Sequence, residues 1–377
     1  MNRLRKSDLK PRVRHCRARR VKRLLTPELR GPFALFTVTT HRRFNSASPH
    51  LVRNYFPHAI LSRVSVASSQ KPVVAVVGPT ASGKSTLAIN LALELNGEII
   101  NCDSVQVYRG IQIATAKVPL AERQGVPHHL IDFVPPEVNY TAGDWAREAA
   151  AKITEIEARG RVPILAGGTG LYLRALRRPF FASPPTDEQL RRRLTRIRER
   201  QGPEYLHRVL QRLDPVSALE LYPRDWPRVH RAIEVRLQTG RPMSAQKETR
   251  PEPPEIVRRL RLLALNPPRD QLYQLINTRT DAHFAAGLIE EVRTLLAQGV
   301  PRDSNALGAH AYRRVVEYLE GRRDLASAIE QSKLDVRHYA KRQLTWFRHE
   351  PGVEWFAGFG TEEAIRDEVI SAVTQPS

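Results

Sequence analysis

The stretch Val73–Ile89, VVAVVGPTASGKSTLAI, decides the fold. Its first five residues are apolar and mostly β-branched, which is typical of a buried strand in a parallel sheet. Residues Gly78–Ser85 then match the phosphate-loop pattern G-x-x-x-x-G-K-S, and an apolar helical period follows from Thr86 to Leu95. Such a loop presents backbone N–H groups to an oxyanion at a helix N-terminus. The sequence therefore predicts a strand, loop and helix that bind a phosphate group.

Each residue type in this loop has a defined chemical use. Glycines let the backbone curl around oxygen atoms, Lys84 supplies a point charge, and the Ser85 hydroxyl is a ligand for Mg²⁺, which we expect as the cofactor. The alternative is a glycine-rich turn without a ligand. The pattern predicts a diphosphate but leaves open whether it belongs to a nucleotide. The predicted diphosphate-binding residues are Gly78, Pro79, Thr80, Ala81, Ser82, Gly83, Lys84 and Ser85.

Composition limits the class of protein. A chain of 377 residues with 41% hydrophobic content can bury a full core, as one large domain with an insertion or as two modest domains. No apolar run approaches the roughly 18 residues of a membrane span, so no membrane partner is expected. Cys16 and Cys102 are too few for a disulfide framework, which favours a reducing, cytoplasmic compartment. Cys102 is interpreted as a small buried residue.

The net charge of +21 is concentrated at the amino terminus. Residues 1–70 contain 16 Lys or Arg against Asp8 and Glu28, a net +14. Composition predicts a disordered extension, separable from the folded unit. Three interpretations remain open: a mitochondrial transit peptide, an RNA-binding arm, or an extension upstream of the start of the folded protein.

Beyond the phosphate loop, strands and helices alternate as in a doubly wound α/β fold. Strands are predicted around Ile99–Ile100, in RVPILAGG and in RRLRLLALN, and later helices at about 269–298, 308–320 and 324–347. The expected fold is an α/β, phosphate-loop-containing parallel sheet core with a helical insertion domain and an α-rich C-terminal part. The predicted divisions are the extension 1–70, the first core part 71–182, a helical insertion 183–225, an α-rich core continuation 226–360, and a C-terminal tail 361–377.

The carboxyl ends of parallel strands converge on one crevice, so Asp103 and Thr169 should meet the phosphate loop there. A small-molecule or nucleoside kinase would use the same loop, with an acid at a strand end holding Mg²⁺ through water. The strand VPILAGG ends in glycines rather than in an acid, and Asp103 follows the neighbouring strand. A kinase could use Asp103 as its base, so this pattern alone does not decide between the two readings.

Six further segments are more specific. In their order and spacing they resemble the tRNA dimethylallyltransferase family, and the resemblance covers about Val73 to Glu354. The segments are GPTASGKS, CDSVQVYRG, GGTGLYLRAL, RVHRAIEV, INTRTDAHFAAGLIEEV and YAKRQLTWFR. The resemblance implies transfer of a dimethylallyl group from its diphosphate to N6 of the adenosine 3′ to the anticodon. The loop would then hold an isoprenoid diphosphate. The implied organisation is bacterial, without a C-terminal zinc finger, and the implied state is a monomer.

The resemblance also implies roles for single residues. Asp103 would take the proton of the weakly nucleophilic adenine amine, while Ser85 through Mg²⁺ and Arg279 would stabilise the leaving diphosphate. The alternatives are a helix cap or a water-mediated Mg²⁺ ligand for Asp103, and an ordinary exposed arginine for Arg279. The predicted catalytic residues are therefore Asp103, Ser85 and Arg279.

RNA contacts follow from the resemblance as well, because the acceptor base must leave its stack and enter the site. KRQLTWFR would place cations and aromatic rings on one helix, although Trp346 and Phe347 are equally interpreted as core. Arg191 lies in a charge run that is usually a solvated face. The implied tRNA-binding residues are Asp103, Ser104, Val105, Gln106, Thr169, Arg191, Trp226, Pro227, Arg228, Val229, His230, Lys341, Arg342, Gln343, Leu344, Thr345, Trp346, Phe347 and Arg348.

Two segments depart from the family's pattern. Ala114 stands where the family usually has Gly, and His310 and Ala311 stand where it tends to have an apolar residue and Gly. Three hypotheses are carried forward: a tRNA dimethylallyltransferase, a kinase with the same loop, and a non-enzymatic RNA-binding protein. The third explains the basic charge but neither the phosphate loop nor Asp103.

Overall fold

The computed structural model describes residues 71–374, and the predictions for residues 1–70 lie outside this range. The described chain contains a six-stranded, all-parallel sheet of order β3-β2-β4-β1-β5-β6. The strands are β1 Val73–Val77, β2 Gly97–Asn101, β3 His128–His129, β4 Val162–Ala166, β5 Leu260–Leu265 and β6 Val353–Phe356. The predicted α/β class is confirmed.

Thirteen α-helices accompany the sheet within the described residues. Those of the first core part are α1 Lys84–Glu94, α2 Ala142–Ala158 and α3 Gly170–Arg177. Five follow before β5: α4 Glu188–Gln201, α5 Pro203–Leu213, α6 Pro215–Glu220, α7 Trp226–Thr239 and α8 Met243–Lys247. The remainder are α9 Arg269–Ala285, α10 Leu288–Ala297, α11 His310–Leu319, α12 Leu325–Arg348 and α13 Glu363–Thr374. No helix in residues 71–374 is long and apolar enough to cross a bilayer.

Strand β1 lies inside the sheet, and all five of its residues are buried. Successive side chains of a strand point to opposite faces, so β1 contributes to two cores. Val73, Ala75 and Val77 belong to the cluster that includes Trp145 of α2. Val74 and Val76 belong to the cluster of Leu87 in α1 and, at the far end of the chain, α13. Coverage on both faces explains why the strand is continuously apolar rather than alternating.

The insertion has its own small core. Leu194 of α4 and Leu206 and Leu210 of α5 pack against Val229 and Ile233 of α7. Helix α7 is thus part of this packing unit, which extends beyond the predicted end at residue 225. The apolar face of α7 recurs at helical spacing and needs these partners to be buried.

The C-terminal part differs from prediction in three places. The helix expected over 269–298 is two helices, since the chain turns at Gly287, the N-cap of α10, which has a left-handed φ of 95°. The predicted tail 361–377 contains α13, whose Ile365, Val369 and Val373 are buried in the cluster that contains α1. Strand β6, which sequence analysis also missed, pairs in parallel with β5 and leads into that helix.

Candidate active site

The phosphate loop has the geometry that its sequence predicts. The N-cap of α1 is Gly83 with a left-handed φ of 81°, and no side chain caps the first turn. The Ser82 hydroxyl is buried and has no hydrogen-bond partner within residues 71–374. Uncapped N–H groups at a helix N-terminus carry partial positive charge and bind anions. This local structure therefore suits a phosphate or diphosphate.

Two cations lie at the loop. The Lys84 ammonium donates a hydrogen bond of 2.5 Å to Pro79 O. Burial lowers the pKa of Lys84 to about 8, and the neighbouring Arg279 charge lowers it as well, whereas Asp103 raises it. Burial also lowers the pKa of Arg279 from its usual range. Arg279, from α9, lines the same cavity as Lys84 and Asp103.

Asp103 lies two residues beyond the end of β2. Its Oδ1 accepts hydrogen bonds from the backbone N–H groups of Val105 at 2.8 Å and Gln106 at 3.3 Å. Its own N–H donates to Asn101 Oδ1 at 3.1 Å. Within the described chain Oδ2 accepts no hydrogen bond. One carboxylate oxygen therefore holds a turn rather than capping a helix, since no helix begins at residues 104–107. The other oxygen is left for a ligand.

The β4–α3 turn lies on the same side of the sheet edge. Ser104 N donates to Thr169 Oγ1 at 3.0 Å, and Thr169 Oγ1 is 3.3 Å from Ser104 Oγ. Thr169 N also donates to Cys102 O. The predicted convergence of Asp103, Thr169 and the phosphate loop is thus what the structure shows. Cys102 is fully buried, as its interpretation requires.

A single cavity of about 750 Å³ joins these parts. Its lining includes Lys84, Ser85, Asp103 and Arg279. The segment Thr115–Lys117 forms one wall and is held by Gln106, whose Nε2 donates to Thr115 O at 3.0 Å and to Ala116 O at 3.4 Å. The Gln106 side chain, predicted to contact tRNA, therefore supports the wall.

Sequence analysis missed the turn between β6 and α13, which closes over the loop. Gly360 N donates to Ser82 O at 2.8 Å, and Phe359 and Thr361 line the cavity. A Cβ at Gly83 would lie 2.9 Å from Thr361 N and 3.0 Å from Gly360 N. The only sequence signal was the glycine pair in FAGFGT, which permits such a close approach.

The KRQLTWFR segment lies within α12, and its residues face two ways. Lys341, Arg342, Thr345 and Arg348 are exposed. The Trp346 ring is half-buried beneath the Arg174 guanidinium, which lies 3.9 Å from the ring centroid. Leu344 is half-buried, and both Gln343 and Phe347 are buried. The core interpretation of Phe347 is confirmed, and the buried side chains are not on the surface that RNA would meet.

The Trp226–His230 segment divides in the same way. Trp226, Pro227 and Arg228 are exposed at the start of α7. Val229 and His230 are buried, and burial together with Arg198 lowers the pKa of His230 to about 4. The face of Trp226 that is turned toward α4 carries the Arg198 guanidinium, 4.3 Å from the ring centroid. Only the first three residues therefore present a surface to a ligand.

Arg191 has a structural partner. Its guanidinium lies 3.3 Å from Oε2 of Glu234, which is fully buried and also accepts from Arg231 and from the backbone N–H of Asp187. A buried carboxylate needs such partners, since an unpaired one is strongly destabilising. The contact with Glu234 ties α4 to α7, and the predicted RNA contact stays a prediction.

The two departures from the family's pattern make contacts within the protein. Ala114 N donates to the Tyr312 hydroxyl at 3.2 Å, and that hydroxyl donates to Glu291. The His310 ring packs against Tyr339 with centroids 4.4 Å apart. Burial lowers the pKa of His310 to about 4, with Arg342 contributing, so the ring is neutral near pH 7.

The residues present fit Mg²⁺ in the manner of a phosphate loop. No cluster of three or more His, Cys, Asp or Glu side chains in residues 71–374 could hold a metal alone. Mg²⁺ usually keeps several waters and binds through one or two protein oxygens together with substrate phosphates. The Ser85 hydroxyl supplies such an oxygen in the cavity.

Comparison with known proteins gives consistent results. A family model described as IPP transferase matches residues 106–350. The tRNA dimethylallyltransferase of Solibacter usitatus is 46% identical over 304 residues, which is 81% of this chain and 98% of that protein. The tRNA dimethylallyltransferase of Thermomicrobium roseum is 46% identical over 313 residues, 82% of this chain and 94% of that protein.

Solved structures are similar as well. The full-length tRNA isopentenylpyrophosphate transferase from Bacillus halodurans matches with a TM-score of 0.59 and 39% identity, covering 81% of this chain and 95% of that chain. A eukaryotic dimethylallyltransferase acting on tRNA matches with a TM-score of 0.65 and 29% identity, covering 80% and 79%.

Proposed function

This chain belongs to the IPP transferase family, and on that premise we propose that it transfers a dimethylallyl group from dimethylallyl diphosphate to N6 of the adenosine 3′-adjacent to the anticodon in tRNA. The products are N6-(dimethylallyl)adenosine and diphosphate. One observation carries the proposal: the anion-binding loop and a carboxylate with a free oxygen line the same cavity. The first suits the leaving group and the second suits the nucleophile.

The donor side of the cavity supplies positive charge. Backbone N–H groups of the loop, the Lys84 ammonium and the Arg279 guanidinium surround the place where the diphosphate would lie. As the bond between the dimethylallyl C1 and oxygen breaks, its electron pair moves onto the diphosphate. Donors fixed before the reaction stabilise that developing charge most effectively. When bound at Ser85, Mg²⁺ would neutralise further charge on the phosphate oxygens.

The acceptor side activates the amine. The adenine N6 lone pair is delocalised into the ring, so it becomes a good nucleophile only as its proton departs. Asp103 Oδ2 accepts that proton while the carbon–nitrogen bond forms. Oδ1 stays bonded to the N–H groups of Val105 and Gln106, which fixes the carboxylate's orientation.

The RNA partner is proposed to be the anticodon stem-loop of tRNA, with the adenosine turned out of its stack. The exposed Lys341, Arg342 and Arg348 of α12 and the exposed Trp226 of the insertion offer cations and a ring to it. We infer that the protein acts in the cytoplasm as a monomer. Size-exclusion chromatography with light scattering tests the oligomeric state.

The direct test is a transfer assay. The protein is incubated with an unmodified tRNA whose anticodon is followed by adenosine, with dimethylallyl diphosphate and Mg²⁺, and the RNA is digested for nucleoside mass analysis. The expected result is dimethylallyladenosine at that position and release of one diphosphate per transfer. Parallel reactions replace dimethylallyl diphosphate with ATP, or the adenosine with guanosine.

Each other function gives a different result. ATP turnover with no mass shift on the RNA would indicate a kinase. Binding of tRNA without any product would indicate an RNA-binding protein. Omitting Mg²⁺ and adding a chelator should reduce the rate, and an undiminished rate would contradict the proposed cofactor.

A further inference from the structure

Gln343, in the middle of α12, joins three elements that surround the reaction. Its Oε1 accepts a hydrogen bond of 2.8 Å from the backbone N–H of Thr80 in the phosphate loop. Its Nε2 donates a hydrogen bond of 3.0 Å to Gly168 O in the β4–α3 turn. The side chain is 4% exposed, the bond to Gly168 is buried, and the bond from Thr80 is partly buried at the edge of the cavity. Buried hydrogen bonds of this kind are costly to break.

The packing of this amide against the β4–α3 turn leaves no spare room. A Cβ added at Gly168 would lie 1.9 Å from Gln343 Nε2, which means that the turn approaches as closely as a glycine allows. One helical turn further along α12, a Cβ at Gly170 would lie 2.2 Å from the Trp346 ring. Two adjoining contacts therefore set the distance between α12 and the β4–α3 turn.

The two bonded partners belong to opposite sides of the cavity. Thr80 is part of the loop proposed to hold the diphosphate. Gly168 precedes Thr169, whose hydroxyl accepts from the N–H of Ser104, the residue next to Asp103. A displacement of the loop relative to this turn would change the gap between the diphosphate's carbon and the attacking nitrogen. Misplacement by about 1 Å can cost on the order of 10²-fold in rate.

We propose that Gln343 is a positioning residue that fixes the phosphate loop relative to the Gly167–Thr169 turn, and so sets the distance between donor and acceptor. This proposal rests on the proposed function. It replaces the expectation that Gln343 touches RNA, since its amide is buried and both of its polar atoms are bonded within the protein.

The test is kinetic. Gln343→Met keeps the length of the side chain and removes both hydrogen bonds. The expected result is a kcat lower by about 10- to 100-fold and a raised KM for dimethylallyl diphosphate, with the Kd for tRNA within about twofold of wild type. Gly168→Ala should act on the same link from the other side, because its Cβ displaces the amide. The double variant should be no slower than the slower single variant, as expected for groups that share one contact.

The matched control is Gln331→Met on the same helix, since within residues 71–374 that amide donates only to Asp335. It should leave kcat and both substrate affinities unchanged. A Gln343→Met protein that binds tRNA weakly but keeps its kcat would overturn the proposal and restore Gln343 as an RNA contact. Additive effects of the two substitutions would also overturn it. If Gln343→Met does not fold, the test rests on Gly168→Ala alone, and an unchanged kcat in that variant would overturn the proposal.

Failure of the proposed function gives a separate signature. In that case the wild-type protein forms no dimethylallyladenosine, and no variant can be compared in kcat. The effect on the loop is then still measured by calorimetric binding of inorganic diphosphate, which should be weaker for Gln343→Met than for wild type. Equal diphosphate affinity in the two proteins would count against the positioning role.

Discussion

Replacing Asp103 by Asn separates the two roles that this carboxylate has in the structure. Asn keeps an oxygen where Oδ1 accepts from the backbone N–H groups of Val105 and Gln106. It replaces Oδ2, the proposed base, by an amide nitrogen that cannot take a proton. Replacing Asp103 by Ala removes both functions, so the pair of variants distinguishes a carboxylate that only holds the turn from a catalytic base.

The expected sizes of the two effects differ widely. Charge-assisted hydrogen bonds are roughly twice as strong as neutral ones, so Asp103→Asn should lower the free energy of unfolding by about 1 kcal/mol or less. Loss of a general base should lower kcat by about 10²- to 10⁴-fold, equivalent to about 3 to 5 kcal/mol of activation free energy. A protein of ordinary stability stays folded after the first change and is nearly inactive after the second.

The assay combines chemical denaturation with single-turnover transfer at saturating tRNA and dimethylallyl diphosphate. The matched control is Asp303→Asn, which removes an exposed carboxylate from the loop before α11 and should change neither quantity. Near wild-type turnover by Asp103→Asn, with a loss in Asp103→Ala no greater than its loss of folded protein, would refute the base assignment. Asp103 would then serve only to hold the turn that contains Val105 and Gln106.

Three further predictions concern the surroundings of the site. Because burial lowers the pKa of Lys84 to about 8, its ammonium is protonated below that pH and loses its charge above it. Calorimetry should therefore show weaker binding of dimethylallyl diphosphate as pH rises through 8. An affinity that rises over this range would contradict the prediction. Gly83→Ala places a Cβ about 3.0 Å from Gly360 N, at a position with a left-handed backbone conformation. This variant should have a free energy of unfolding lower by about 1–3 kcal/mol and should bind diphosphate more weakly. An unchanged melting temperature would show that the β6–α13 turn is not held at this position. Trp145→Phe removes the buried hydrogen bond of 2.8 Å from Trp145 Nε1 to Asn101 O. The free energy of unfolding measured with denaturant should fall by about 1–3 kcal/mol. A fall of less than a few tenths of a kcal/mol would mean that the carbonyl finds another donor.

The parts of the fold that sequence reasoning predicted are those with strong local causes. The phosphate loop needs glycines at positions where other residues are strained, and β1 must be apolar throughout because it is covered on both faces. The convergence of Asp103 and Thr169 follows from a general property of parallel sheets. These features depend on few long-range contacts, so the sequence pattern alone identifies them.

The parts that were missed depend on distant partners. Strand β6 is a four-residue edge strand, three of whose residues are not buried, and only its pairing with β5 defines it. Helix α13 has a buried stripe of three residues, and its partner α1 lies more than two hundred residues earlier. The insertion boundary at 225 was placed at a change in composition, whereas burial of α7 decides where the packing unit ends. A change in composition along the sequence does not show which faces of the helices and strands pack against each other.

The burial of Gln343 did leave a signal in the sequence. Ala340, Gln343 and Phe347 recur at helical spacing, and all three are buried in α12. A polar residue within an apolar stripe implies a buried hydrogen-bond partner, because an unsatisfied amide is costly. Taking the KRQLTWFR segment as one RNA-binding surface hid this periodicity. The helical spacing of Ala340, Gln343 and Phe347 predicts Gln343 in the interior and Lys341 and Arg342 on the surface.

The charges in the cavity also indicate what kind of ligand it is built for. Lys84 and Arg279 are half-buried cations that line one cavity, and burial lowers the pKa of both. Three cations, Lys84, Lys117 and Arg279, and two carboxylates, Asp103 and Glu122, line this cavity, so its lining carries more positive than negative charge. A diphosphate would restore the balance, and its charge increases as the bond to the dimethylallyl carbon breaks. The cations are therefore better matched to the departing diphosphate than to the intact donor, which is the condition for them to accelerate the transfer rather than only bind the substrate.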